Sequence, residues 1–158
     1  MIRQLKKSRA ALVVGVVGLG LALSACSPAT TNKPYAASDG IRATLGDFTL
    51  ENLSIVTLGK GEPGQLLGGA TNTAFTAGSV TLTSEDGSVN IPVPIKANST
   101  VNFFQDGKEL GFIASVPAAP GQNLTVTVTD LDGQSKTVYV PVLDGAWPDY
   151  ADAVPTQG

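Results

Sequence analysis

Beyond residue 40 the chain alternates apolar and polar side chains with a period of two. Leu124, Val126 and Val128 interleave with Thr125, Thr127 and Thr129, the pattern of a strand with one face in a core and one in solvent. Asp130-Leu131-Asp132-Gly133 then supplies turn formers, and Val138, Val140 and Val142 resume on a single parity. The two runs predict a β-hairpin. Weaker strands precede it. Ile41, Ala43 and Leu45 share a parity, and Gly46-Asp47 turns the chain into a strand over 48–58. Val80 and Leu82 alternate with Thr81 and Thr83 before a turn at Asp86-Gly87. Val89, Ile91, Val93 and Ile95 face one way, with Pro92 and Pro94 on the other parity. Proline cannot donate to a ladder, so this strand is predicted at a sheet edge. Val101 and Phe103 make another strand, closed by Asp106-Gly107.

Residues 59–71 (GKGEPGQLLGGAT) show no period. They fail as a phosphate-cradling loop, because Lys60 precedes the glycines and no Gly-Lys-Ser/Thr follows. They read instead as a connection crossing between sheets. No 3.6-residue apolar period is sustained beyond a turn. The predicted fold class is therefore all-β, an antiparallel immunoglobulin-like or cupredoxin-like β-sandwich of seven or eight short strands over residues 41–143.

The amino-terminal segment obeys a different rule. Arg3, Lys6, Lys7 and Arg9 stand without an acid among them, and residues 10–25 (AALVVGVVGLGLALSA) carry no charge. A basic region, an apolar run and small residues before a cleavage point describe a secretory signal over 1–25. The run is short for a membrane span, which needs about 20 apolar residues. It ends in Leu23-Ser24-Ala25-Cys26, which resembles the bacterial lipobox. That resemblance implies a diacylglyceryl group on the thiol of Cys26, cleavage just before it, and stable tethering through more than one acyl chain. Residues 26–40 then form the lipidated cysteine and a flexible tether rich in Ser, Thr, Ala and Pro. Residues 144–158 form a tail whose first half is expected to dock through Trp147 and Tyr150.

Charge and chemistry narrow the function. Of 158 residues, 42% are hydrophobic, which argues against disorder. Loss of residues 1–25 leaves six of the ten basic residues against all thirteen acidic ones, a net charge of −7. Such a surface repels nucleic acid and anionic headgroups, so no nucleic-acid partner is expected and attachment must come from the lipid. The chain has no His, its one Met is Met1, and its one Cys is Cys26. A Ser-His-Asp or Cys-His arrangement is impossible, no disulfide can form within the chain, and zinc or copper sites lose their usual ligands. Paired carboxylates remain: Glu85 with Asp86, Asp130 with Asp132, Asp149 with Asp152. All lie in turns or the tail, where acids cap backbone more often than they catalyse. Asp130-Leu131-Asp132-Gly133 opens like a calcium loop, but Pro141 occupies the twelfth position where Glu is required. The triplets at Asn52, Asn98 and Asn123 fit the N-glycosylation pattern, which behind a bacterial lipobox reads as coincidence.

Tyr35, Asp39-Gly40, Ala43, Leu45-Gly46-Asp47 and Asn52-Leu53 are followed by a Gly-rich linker and by Asn72 ahead of Val80-Thr81-Leu82. With Val140-Pro141-Val142-Leu143, Trp147-Pro148 and Tyr150, this arrangement resembles small actinobacterial lipoproteins related to the periplasmic copper-chaperone group. The likeness spans residues 35–155 and implies a cupredoxin-like sandwich. In copper-binding members Met and His supply the metal site; this chain has neither there, so copper carriage is not implied. The expectation is a non-catalytic binding or structural lipoprotein on the outer face of the cytoplasmic membrane, without catalytic residues, metal ligands or cofactor. Its partners would be membrane lipid through acylated Cys26 and an envelope protein. The alternative is a metal-handling protein using carboxylates alone.

Overall fold

The computed structural model describes residues 38–105 and 108–155. The signal segment, the lipobox, Cys26, most of the tether, the Asp106-Gly107 turn and the last three residues lie outside the described residues. Eleven strands follow in chain order: β1 (Ile41–Leu45), β2 (Phe48–Thr57), β3 (Gly64–Asn72), β4 (Gly78–Ser84), β5 (Asn90–Ile95), β6 (Ser99–Asn102), β7 (Phe104–Gln105), β8 (Lys108–Glu109), β9 (Phe112–Ile113), β10 (Asn123–Asp130) and β11 (Ser135–Asp144). Eight of them are four residues or longer, and they form the β-sandwich that the alternating pattern predicts.

One continuous path of pairing, β5-β4-β10-β11-β2-β3-β6, folds over on itself, with β1 added beside β2 and β9 beside β3. β11 joins the two layers. It pairs antiparallel with β10 from Ser135 to Pro141, then parallel with β2 through Val142, Leu143 and Asp144. That parallel pairing departs from the antiparallel rule of the other ladders. Pro141 stands where the strand changes partner; it has no N–H to lose from a ladder. Inward-facing apolar residues of both layers form the core, among them Leu50, Ile55, Leu66, Val80, Leu82, Val126 and Val140, each almost wholly buried. One ion pair is seen among the described residues, Arg42 with Glu51 at 3.3 Å, and both side chains are exposed. Such a pair contributes under about 1 kcal/mol, whereas truncating a buried Leu costs about 2–5 kcal/mol. Apolar burial therefore holds the fold.

The Gly-rich stretch is the main departure from the sequence pattern. Instead of a connection between sheets, residues 64–72 form β3, paired with β2 on one side and with β6 and β9 on the other. Its glycines permit close approach. A Cβ on Gly64 would lie 2.4 Å from Val116 Cγ2, and one on Gly68 would lie 2.4 Å from the Glu51 carbonyl oxygen. Gly68 also has φ +99°, and it faces the break in register between Glu51 and Ser54. Asn52 within that break adopts φ 56°. This is a β-bulge that only a side-chain-free residue can oppose. The expected Val101–Phe103 strand is likewise interrupted. Phe103 leaves the ladder to bury its ring completely, while its N–H donates to the Gly68 carbonyl at 3.0 Å.

Asn72, fully buried at the end of β3, closes the remaining gap. Its Nδ2 donates to the carbonyls of Thr76 (2.8 Å), Ile95 (3.4 Å) and Lys96 (3.3 Å), and its Oδ1 accepts from Ala74 N–H at 2.9 Å. The ends of β3 and β5, in opposite layers, are thereby stitched together.

Two substitutions test this account by urea denaturation. Gly68→Ala should lose about 1–3 kcal/mol through steric overlap and backbone strain. Asn72→Ala should lose about 1–3 kcal/mol or more by orphaning buried backbone groups. Stability unchanged in either variant contradicts the role given to that residue.

Candidate functional site

The carboxyl-terminal tail lies against the outer side of the β2–β11 junction. Gly145 N–H donates to the Thr57 carbonyl at 3.0 Å, and Ala146 N–H donates to Asp144 Oδ1 at 2.9 Å. A chain of short turns follows, from Trp147 N–H to the Asp144 carbonyl and from Tyr150 N–H to the Trp147 carbonyl, ending in the 3₁₀ turn Ala151–Ala153. Ala153 is buried, and a Cβ on Gly145 would lie 2.3 Å from Val154 Cγ2 and 3.3 Å from Val56 Cγ1. The apolar end of the tail thus covers Val56, which is completely buried although it points away from the core.

The segment leading into β1 meets this tail. Gly40 is buried, and its N–H donates to Asn52 Oδ1 at 3.2 Å. The bulge in β2 therefore positions the residues just before β1, Asp39 among them. The Tyr150 hydroxyl donates to Asp39 Oδ2. This bond joins residues 111 positions apart. The carboxylate beside it holds the Tyr150 phenol above its ordinary value, with desolvation and the charges of Asp39 and Asp149 acting in the same direction.

Two adjoining concavities flank that hydrogen bond. The larger, about 600 Å³, is bordered by Pro120, Leu143, Asp144, Trp147 and Asp149. The smaller, about 300 Å³, is bordered by Ser38, Asn52, Ser54 and Leu67. Asp39, Leu143 and Tyr150 border both. Trp147 is 65% exposed at the rim of the larger one. The groove thus sets an exposed indole beside the carboxylates of Asp39, Asp144 and Asp149.

The other sequence candidates separate. Asp86 Oδ1 accepts from Ser84 Oγ (2.6 Å), Ser88 Oγ (2.7 Å) and Ser88 N–H (3.1 Å), and these bonds, the Ser84 hydroxyl first, lower its pKa. It is a turn cap, and so is Asp130, whose Oδ1 accepts from Asp132 and Gln134 N–H at 3.0 and 2.9 Å. Glu85 stands on a separate concavity of about 380 Å³ with Asp86, Pro117 and Asn123. Asp149 borders the groove, while Asp152 is exposed in the 3₁₀ turn. Among the described residues, no group of three or more His, Cys, Asp or Glu is placed to hold a metal ion. Leu23, Ser24, Ala25 and Cys26 lie outside the described residues. Sequence reasoning singled out Trp147 and Tyr150 but left Asp39 in the tether. No local pattern marks it, because its partner comes from the other end of the chain.

No family model and no curated protein sequence matches this chain. Among solved structures it is similar to the copper-bound PCuAC domain from PmoF2, with 16% identity, a TM-score of 0.45, and coverage of 65% of this chain and 97% of that one. It is also similar to the apo PCuAC domain from PmoF1, with 8% identity, a TM-score of 0.44, and coverage of 64% and 97%. The apo PmoF2 PCuAC domain gives 12% identity, a TM-score of 0.48, and coverage of 67% and 97%. The copper belongs to the first of those proteins.

The Tyr150–Asp39 bond is testable by ultraviolet titration of the phenols. Because the folded-state pKa is raised, its contribution to stability is fully present below pH 10 and disappears as pH climbs through the folded value. Asp39→Asn should bring the Tyr150 transition back toward about 10, and Tyr150→Phe should remove that transition. A wild-type Tyr150 titrating at the same pH as in Asp39→Asn contradicts the bond.

Proposed function

We propose that this chain is an exported lipoprotein, acylated on Cys26, which displays a non-catalytic binding sandwich on the outer face of the cytoplasmic membrane. The observation that carries this reading is Leu23-Ser24-Ala25-Cys26, placed directly behind a basic and then an apolar run. Its cysteine is the only one in the chain. The absence of histidine from the sequence supports a non-catalytic role. No helix among the described residues is long and apolar enough to cross a membrane. On this reading, Asp39 lies 13 residues beyond the anchored cysteine. A fully extended chain of that length spans roughly 45 Å at most, so the groove at Asp39, Trp147 and Tyr150 stays near the bilayer and faces a partner in the envelope.

The metal-handling alternative rests on the carboxylates of the same groove, Asp39, Asp144 and Asp149. These acids do not form a cluster placed to hold an ion. Calorimetric titration with calcium and with copper should release no binding heat; saturable heat abolished by Asp144→Asn would favour that alternative.

Mass spectrometry of the membrane-extracted protein should find Cys26 at the amino terminus carrying a diacylglyceryl thioether. Cys26→Ala should leave the precursor uncleaved at this point and unacylated. An unmodified chain beginning at Met1 contradicts the proposal.

A further inference from the structure

The layer formed by β5, β4, β10 and β11 turns its second face to solvent, opposite the core. Strand register arranges that face in rows. Asn90, Thr83, Thr127 and Thr137 stand abreast across the four strands. In the next row Thr81, Thr129 and Ser135 follow Pro92, and on the other side Thr125 stands beside Tyr139. None of the outward positions of these four strands, all among the described residues, carries a charge. An ordinary solvated surface is about 25–35% charged, with both signs interspersed. Of the acids nearest these strands, Glu85, Asp86 and Asp132 stand in turns, and Asp130 and Asp144 end β10 and β11 on the core parity.

We propose that the face of β4, β10 and β11, where hydroxyl rows adjoin an exposed tyrosine, binds a neutral polysaccharide. Strands lie about 4.8 Å apart and alternate residues about 6.8 Å apart along each strand. The threonines therefore present a flat grid of groups that both donate and accept. Their bonds within the protein are long: Thr83 Oγ1 reaches the Thr127 carbonyl at 3.4 Å, and Thr127 Oγ1 and Thr137 Oγ1 stand 3.4 Å apart. Capacity for a ligand remains. Tyr139, 66% exposed, offers an aromatic surface on which the C–H face of a sugar ring can stack. A concavity of about 390 Å³ lies on this face, bordered by Thr83, Thr125, Thr127, Thr137, Ser84 and Glu85. The Glu85 carboxylate at its margin can accept from a pair of sugar hydroxyls.

Charge complementarity selects the occupant. An anionic polymer or nucleic acid needs Lys and Arg, which this face lacks. A protein partner needs several aromatic or Arg anchors in pockets, and this face has a single aromatic. An uncharged polyhydroxylated chain asks only for hydroxyl partners and a stacking surface. The inference is independent of the groove and of the lipid anchor.

The test is affinity electrophoresis of the full chain, purified in lauryldimethylamine oxide to avoid sugar-headed detergents. Native gels would contain hydroxyethylcellulose, laminarin or dextran, with carboxymethylcellulose as the anionic comparison. At least one neutral polymer should retard the protein, and the anionic one should not. Tyr139→Ala should weaken retardation about tenfold by loss of the stacking surface. Thr127→Val, which keeps shape and strand propensity, should weaken it about threefold to tenfold. Unchanged unfolding curves would show that both variants remain folded. Failure of all three neutral polymers to retard the protein, or equal retardation of wild type and variants, overturns the proposal. A dimer in sedimentation equilibrium that Tyr139→Ala dissociates overturns it as well, by assigning the face to a second copy of the chain.

Discussion

β11 spends its first seven residues antiparallel to β10 and its last three parallel to β2, and among the described residues the strand ladders of the two layers are joined through this strand. Val138, Val140 and Val142 point into the core on one parity. The strand therefore contributes core side chains continuously while its hydrogen-bonding edge passes from one layer to the other. Proline at residue 141 suits the crossover, because a residue without an N–H loses nothing where one ladder ends and another begins. Beyond it, Val142 N–H donates to the Gln122 carbonyl at 2.9 Å, and Gly121 N–H donates to the Val142 carbonyl at 2.8 Å. The backbone groups freed by the change of partner are thus satisfied by the loop before β10.

That geometry also places the groove. Because β11 ends beside β2, the tail emerges over the outer side of Ile55-Val56-Thr57 and folds back upon it. The bulge at Asn52 brings Gly40 and Asp39 to the same neighbourhood. The Tyr150–Asp39 bond is then a local contact in space between the two ends of the described chain. The groove therefore joins side chains from β2, β3, β11, the tail and the segment before β1.

The opposite layer meets solvent in a different manner. Its outward rows are uncharged, whereas acids gather at turns such as Asp86 and Asp130, where their oxygens satisfy backbone N–H groups. The molecule thus has an acidic, aromatic groove on one layer and a hydroxyl-rich plane on the other.

Much of this was legible in the amino-acid sequence. Alternation marked β1, β4, β5, β10 and β11, because a strand with one buried face writes its period directly into side-chain polarity, and the Gly46-Asp47 turn marked the start of β2. Pro92 and Pro94 marked β5 as an edge, since proline cannot pair on both sides. Asp130 and Gly133 marked the hairpin through their turn chemistry. β3 was illegible: its glycines advertise a loop, and only the approach of Val116, Val56 and the bulge at Asn52 makes a strand there necessary. The partnership of Asp39 with Tyr150 was equally hidden. Local polarity and turn preference are properties of neighbours in the chain, and they determined the strands, their edges and the turns. Close packing, register across distant strands and the meeting of the two ends depend on which remote residues share a volume, and only the tertiary structure decided those.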